Sequence, residues 1–378
     1  MAGQHHHQKA IFHIIPRIEF GGTERMLTQT MLSADISSEW RQVLYVMKND
    51  HGENSAKLKE AGFDIRYLDF QKGGLSAVSS IIKSIFRLRR DCQVEHPEIV
   101  MGWLYYGNIL ASLIAPKSTS VFHNIRNSAF DVSRYKASIR FALGVNAFLS
   151  KNVAMTIYNS FAGREDHQKR GFSKARNTVI HNGIDTEFFK PSPSHRTSWR
   201  QQHGFSEDEI IILIVGRNDP QKRYDQVLAL AEKFTNITFV AIGENVDQLK
   251  SLNNFKPFSH QTEIHKIYPA ADIILSTSAY GEGFQNTVAE GMSSGLIPIC
   301  HNAGDIKTLV GNAGYVAEDY TSLEKMLDTL LALPKVEIKQ MQRDSRNQIT
   351  KNFSIARFNK AFLSCLAQTQ SSHKGSSS

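Results

Sequence analysis

The stretch Asp272-Ile-Ile-Leu-Ser-Thr-Ser-Ala-Tyr-Gly-Glu-Gly-Phe-Gln-Asn-Thr-Val-Ala-Glu-Gly-Met-Ser-Ser-Gly-Leu-Ile-Pro-Ile-Cys-His-Asn-Ala-Gly-Asp305 decides how this chain is read. Ile273 to Leu275 are apolar and partly β-branched, as in a parallel strand buried on both faces. Gly281 and Gly283 flank Glu282 and let the backbone approach a ligand closely. Asn286 reads as the N-cap of a helix ending near Gly295, and Leu296 to Ile299 resume as strand. Strand, acidic loop, helix, strand is the repeating unit of a doubly wound α/β sheet.

Glu282 and Glu290 are the notable carboxylates. If both were helical, the rise between them would be about 12 Å. A carboxylate pair that cleaves one glycosidic bond stands about 5 to 9.5 Å apart. The spacing suits two ends of an extended ligand better than one scissile bond. A solvated helix face is the alternative, and spacing alone leaves both open.

The same alternation extends towards both termini. Strands are expected at Ile11–Ile15, Gln42–Met47, Ile65–Leu68, Ile99–Met101, Ser120–His123, Thr156–Asn159, Thr178–Ile180, Ile210–Val215 and Ile237–Ile242. Helical segments fall between them, among them Thr23 to Leu32, Glu53 to Ala61, Leu75 to Arg90 and Asn108 to Ala115. Such sheets bind ligands at the carboxyl ends of their strands. Several polar or glycine-rich segments sit there. Gly21 and Gly22 open a helix whose amino end favours phosphate. Trp103 and Tyr106 follow one strand, and His123 and Arg126 another. Gly216-Arg217-Asn218-Asp219-Pro220-Gln221-Lys222-Arg223 follows a third. An Arg fork and a Lys point charge just past a strand end can hold a diphosphate.

At 378 residues the chain suits two domains rather than one core. Hydrophobic content of 41% and charged content of 21% are those of a globular protein. No apolar run reaches the ~20 residues that span a bilayer, so a cytoplasmic protein is expected. Cys92, Cys300 and Cys365 lack metal-ligand spacing and read as buried thiols. We assign no metal to the histidine run His5–His7. A net charge of +8 favours phosphate-bearing partners. Without long basic runs or aromatic–basic repeats, nucleic acid is not expected. In the helix Leu75 to Arg90, an apolar side carries Leu75, Val78, Ile81, Ile82, Ile85 and Phe86, beside Lys83, Arg87, Arg89 and Arg90. It reads first as a sheet-covering helix with solvated charges. Contact with an anionic membrane is the second reading.

The string Glu282-Gly-Phe-Gln-Asn-Thr-Val-Ala-Glu290-Gly-Met-Ser-Ser-Gly295 resembles the signature of the retaining, nucleotide-sugar-dependent glycosyltransferases of family 4. Gly291 stands where that family usually has Ala. Gly21-Gly22, the Arg217 to Lys222 loop and His181-Asn-Gly-Ile-Asp185 resemble other motifs of the family, in its order. Arg223 replaces the usual Gly. The resemblance implies a GT-B fold: two Rossmann-like doubly wound parallel-sheet domains facing a cleft, with a C-terminal helix crossing back to the first. It places the domains at 1–185 (acceptor side) and 186–353 (nucleotide-sugar side), the returning helix at 354–370 and a disordered tail at 371–378. Arg217 and Lys222 would contact the donor diphosphate and Glu290 the ribose. Glu282, Gly283 and Phe284 would hold the donor sugar, with Gly21, Gly22, Gln285, Asn286 and Thr287 also lining the donor site. His123 would act beside the reacting sugar, with Trp103, Tyr106 and Arg126 on the acceptor side.

The implied activity is transfer of a sugar from a nucleotide-sugar to a glycan or glycolipid, with neither metal nor cofactor. Its implied setting is bacterial surface polysaccharide or lipopolysaccharide assembly, at the inner face of the cytoplasmic membrane. The alternatives are a nucleotide-sugar epimerase of similar fold and a non-catalytic nucleotide-binding protein. Gly281-Glu282-Gly283 begins like a dinucleotide fingerprint, but Asn286 occupies its third glycine position.

Overall fold

The computed structural model describes residues 8–19, 21–71, 73–128, 132 and 136–374. The run His5–His7 and the tail beyond residue 374 lie outside them. The chain forms two units. One runs to His181 and resumes at Phe358, and the other spans Asn182–Arg357. The last helix, Ile355–Lys374, thus starts in the second unit and continues into the first. Residues 371–374, expected in the tail, extend it.

The first unit is built on seven strands: β1 (Lys9–Ile15), β2 (Trp40–Val46), β3 (Asp64–Tyr67), β4 (Ile99–Trp103), β5 (Ser120–Ile125), β6 (Met155–Tyr158) and β7 (Asn177–Val179). Their order is β3-β2-β1-β4-β5-β6-β7, and every pairing is parallel. Helices Gly74–Glu95, Leu104–Ile114 and Ala137–Leu149 form one layer on the sheet. Leu88, Cys92, Leu110 and Ile114 pack against Phe12, Ile14, Val43 and Val100. Ala142, Leu143 and Ala147 pack against Ile125 and Tyr158. Val121 and Ile125, two strand periods apart on β5, lie on that same face.

The second unit carries β8 (Ile211–Val215), β9 (Thr238–Ile242), β10 (Phe255–Phe258), β11 (Ile273–Ser276), β12 (Ile297–His301) and β13 (Tyr315–Ala317). They are ordered β10-β9-β8-β11-β12-β13, again all parallel. Ile211 and Leu213 enter one core cluster, Ile212 and Ile214 the other. The sheet is therefore covered on both sides, which is why these strands are apolar throughout. All eleven strands expected from sequence are present. β10 and β13 were not expected: β10 contains Pro257, which weakens a strand signal, and β13 is three residues long. The helix expected from Asn108 begins at Leu104, directly after β4. The three cysteines are free and buried. No described helix is long and apolar enough to cross a membrane.

Asp272, just before β11, ties the second sheet together. Its Oδ1 accepts from Arg196 Nη2 at 3.0 Å and its Oδ2 from Arg200 Nη2 at 2.9 Å and Ile211 N at 2.9 Å. Its backbone N–H donates to Ile211 O, and Ile297 N donates to its carbonyl. Arg200 is wholly buried and also donates to the carbonyls of Ala270 and Glu209, both at 2.8 Å. Removing the carboxylate strands a buried guanidinium, which typically costs about 3–5 kcal/mol. We expect Asp272→Ala to lower the urea-unfolding free energy of the second unit by that amount. A loss under about 1 kcal/mol, the range of an exposed pair, would show that the cluster is not what holds these elements.

Candidate functional site

In the second sheet the strand order reverses between β8 and β11. At such a switch point the segments leaving two adjacent strands run to opposite sides and open a crevice at their carboxyl ends. Arg217 follows β8 and Glu282 follows β11, so the two motifs read separately from sequence meet here.

Their loops are joined by specific contacts. Lys222 Nζ lies 2.8 Å from Glu282 Oε1, and Gln221 Nε2 donates to the same oxygen at 3.0 Å. Ser278 Oγ accepts from Lys222 Nζ at 3.3 Å. Below them Thr277 Oγ1 donates to Lys222 O at 2.6 Å and Ala279 N to Gln221 O at 2.9 Å. The Lys222 stem lies over Gly216, where a Cβ would come within 3.1 Å of Lys222 Cε. Arg217 is mostly exposed, 3.4 Å from Asp219. Arg223 has φ 52°, in the left-handed region. Its substitution for the usual Gly therefore leaves the expected turn in place, at the steric cost a Cβ carries there.

Helix Asn286–Ser293 leaves the same loop. It begins one residue earlier than expected: Gln285, not Asn286, is the N-cap, and no side chain caps the helix. Its amino end points amide groups and the positive end of the helix dipole towards the site. Gln285 is buried and structural, accepting from Ser276 Oγ at 2.7 Å and donating to Ala303 O at 3.2 Å. Asn286 Oδ1 accepts from Asn182 Nδ2 at 2.8 Å, which ties the linker motif to the helix start. Thr287 is half-buried in the first turn. Phe284 is a core residue, its ring 5.5 Å from that of Phe353. Glu290 is buried at 2% exposure and its Oε2 accepts from the Tyr268 hydroxyl at 3.0 Å. Gly283 O accepts from Asp305 N at 3.1 Å. Gly304 makes that approach possible: its φ is 63°, and a Cβ there would lie 2.5 Å from the carbonyl oxygens of Glu282 and Gly283.

The sites expected in the first unit fare differently. His123 does not end its strand, because β5 continues to Ile125. It is wholly buried under helix Leu104–Ile114, with Nε2 2.8 Å from Ser112 Oγ, and burial pulls its pKa down to about 3. A neutral core histidine replaces the expected catalytic one. Trp103 is likewise core: it is wholly buried and donates Nε1–H to His13 Nδ1 at 3.1 Å. Arg126 is buried too, donating to Ile180 O at 3.1 Å with its guanidinium 5.3 Å from the Trp103 ring. Burial lowers its pKa to about 9, which still leaves it charged at neutral pH; it is its burial that keeps it from being an open phosphate clamp. Tyr106 remains exposed. Gly21 has φ 138° and precedes helix Gly22–Leu32, which no side chain caps. A Cβ on Gly21 would strike the carboxylate of Glu24, whose pKa burial raises.

Sequence reading missed Gln221, Ser278, Asn182 and Tyr268. Gln221 and Ser278 lay inside quoted motifs, but neither carries charge, and only their shared approach to Lys222 and Glu282 marks them. Among the described residues no three His, Cys, Asp or Glu side chains converge as a metal site. A cavity of about 900 Å³ in this unit touches Ile273 and Ile297, the first residues of β11 and β12. It includes none of Arg217, Lys222 or Glu282, so it lies at the opposite end of the sheet from the site.

Residues 195–352 match the family model described as glycosyl transferases group 1. The D-inositol 3-phosphate glycosyltransferase of Mycobacteroides abscessus is 24% identical over 154 residues, 36% of this chain and 34% of that protein. Its counterpart in Mycobacterium tuberculosis is 27% identical over 156 residues, 37% and 32% of the two chains. The match thus spans about a third of these curated relatives. Among solved structures, Anabaena HepE in complex with UDP-glucose has a TM-score of 0.80 at 16% identity, covering 95% of this chain and 99% of that one. The lipopolysaccharide outer core galactosyltransferase WaaB has a TM-score of 0.71 at 17% identity, covering 95% and 99%.

Two substitutions separate backbone from side-chain roles. Gly304→Ala is expected to destabilise by more than about 1 kcal/mol, because the positive φ and both carbonyl oxygens oppose the methyl group. Arg223→Gly is expected to stabilise by up to about 1 kcal/mol by relieving the left-handed residue. Thermal unfolding of both variants checks this; an unchanged midpoint for Gly304→Ala would refute the close crossing.

Proposed function

We propose that this chain, whose residues 195–352 match the model of the group 1 glycosyl transferases and which shares the fold of solved glycosyltransferases such as WaaB, transfers a sugar from a nucleotide-sugar to a glycan or glycolipid acceptor with retention. The observation that carries the reading is the Lys222–Glu282 pair beside the uncapped start of helix Asn286–Ser293. A cation, a carboxylate and a helix amino end in one crevice suit a sugar diphosphate: phosphate at the cation and amides, sugar hydroxyls at the carboxylate.

Without donor, Lys222 and Glu282 neutralise each other at 2.8 Å. Donor binding offers Lys222 a phosphate and leaves Glu282 to accept from sugar hydroxyls. Arg217, exposed and only loosely paired, is available to the diphosphate as a planar fork. As the bond from the anomeric carbon to the diphosphate breaks, charge grows on the leaving oxygen, and Lys222, Arg217 and the helix amides stabilise it. The acceptor oxygen bonds to the same face of that carbon and its proton passes to the departing diphosphate. No enzyme nucleophile is invoked and no metal is required. Glu290, held by Tyr268, serves the ribose. HepE, which shares the fold, has been solved with UDP-glucose, so UDP-hexoses are the first donors to try. The fold shared with WaaB supports a setting in surface polysaccharide or lipopolysaccharide assembly.

Lys222→Ala is expected to lower the transfer rate by about 10²–10³-fold, the range for loss of one such charge-stabilising donor. Glu290→Gln should raise the donor KM with less effect on kcat. Transfer from a panel of UDP-, GDP- and ADP-sugars, run with and without EDTA and with the product anomer assigned by NMR, tests the proposal. Wild-type transfer by Lys222→Ala, an inverted product or loss of activity in EDTA would each overturn a stated part. Epimerised donor without acceptor would replace the reading with an epimerase.

A further inference from the structure

Helix Gly74–Glu95 has two faces, and the sheet uses one of them. Ser84, Leu88 and Cys92 recur at four-residue spacing and are buried. Val78, Ile82 and Phe86 recur at the same spacing on another stripe, 55%, 48% and 66% exposed, with Ile81 exposed beside them. Lys83 and Arg87 follow one position later, Arg90 continues the Val78–Ile82–Phe86 stripe by one more turn, and all three are exposed. The expectation that the sheet would occupy this helix's apolar side is thus corrected: the sheet takes Leu88 and Cys92, and a separate apolar stripe faces outward beside a basic one.

The two neighbouring helices continue the pattern. Leu104–Ile114 exposes Leu113, and Ala137–Leu149 exposes Phe141 at 74% and Phe148 at 66%. Phe141 and Phe148 are seven residues apart, two turns on one side of the helix. Arg89 Nη2 donates to Leu113 O at 2.9 Å, which joins the first helix to the second. Lys117, Lys136, Arg140 and Lys151 are exposed in or beside the same layer. Its three helices contain only two acidic residues, Asp91 and Glu95, and both lie on Arg66, at 3.3 and 2.5 Å. None of the eight named lysines and arginines of this layer, Arg89 included, has a carboxylate partner among the described residues.

We propose that this layer of the first unit docks on a bilayer surface containing anionic lipid. Val78, Ile82, Phe86, Phe141 and Phe148 enter the boundary between headgroups and acyl chains. Lys83, Arg87, Arg90 and Arg140 meet lipid phosphates. Exposed aromatic and branched aliphatic side chains clustered on one layer mark an interaction surface. Unpaired cations beside apolar stripes specify an interface that is both apolar and negatively charged. A second copy of this chain fits poorly. A two-fold contact would set each patch against itself, basic stripe near basic stripe, with no free carboxylate in either layer. The inference stands on this surface alone, so it survives or fails independently of the transfer reaction.

Flotation of the full chain, without donor or acceptor, tests it. Vesicles of phosphatidylcholine with phosphatidylglycerol should carry the protein at low salt, and vesicles of phosphatidylcholine alone should not. High salt should release it. Ile82→Ser with Phe86→Ser, and separately Phe141→Ser with Phe148→Ser, should each lower the partition coefficient by about tenfold or more. Lys83→Glu, Arg87→Glu and Arg90→Glu together should lower it by more than about a hundredfold. Leu32→Ser, an exposed position on helix Gly22–Leu32 outside this layer, should bind as wild type. All substituted side chains are exposed, so unchanged thermal unfolding verifies the variants. The proposal is overturned if the wild-type chain does not float at low salt or if the layer variants bind like wild type. It is also overturned if sedimentation shows a dimer that Phe86→Ser with Phe141→Ser dissociates.

Discussion

Asp272 is the constraint on which the second unit depends. A single carboxylate receives Arg196, the buried Arg200 and the first amide of β8, while its own backbone pairs with β8 and β12. Three strands are thereby registered at their amino ends. Registration at one end sets where the strands stop at the other, and the carboxyl ends of β8 and β11 hold the candidate site. Burial works against a charged Arg200, and Asp272 opposes that cost. The arrangement holds only while both partners are present.

At the other end of those strands the forces are of a different kind. Lys222, Gln221 and Glu282 are partly accessible and share one small network with the buried Ser278. Their backbone supports are rigid: a threonine hydroxyl and an amide bind the loop carbonyls, and Gly304 admits a close crossing of two chain segments. Partly accessible charge on a hydrogen-bonded frame suits a site that must exchange an internal partner for a ligand. Glu282 and Glu290, first read as two ends of one ligand, have distinct surroundings. Glu282 meets a lysine in the crevice, while Glu290 is buried against Tyr268.

The first unit shows the limit of carrying residues over by position. His123 and Trp103 stand near the ends of strands, where ligand-facing side chains are found, yet both are wholly buried. A one-residue step along a strand turns a side chain to the other face, and β5 runs two residues past His123 before it ends. The same unit turns an apolar–basic helical layer outward, a surface the sheet does not need for its own core.

What the sequence determined by itself is the alternation of apolar strands and amphipathic helices, and hence two parallel sheets. Period and burial are properties of neighbouring residues, so they survive as local pattern. It also determined the charged motif residues Arg217, Lys222, Glu282 and Glu290, because charge beside glycine at strand ends is itself a local signal. Only the tertiary structure decided which of these touch, since Lys222 and Glu282 are 60 residues apart. It alone revealed Gln221 and Ser278, whose neutral side chains gain meaning from proximity. It placed His123, Trp103 and Arg126 in the core and left Val78, Ile82 and Phe86 outside it, because burial depends on what packs overhead, and no segment encodes its own neighbours.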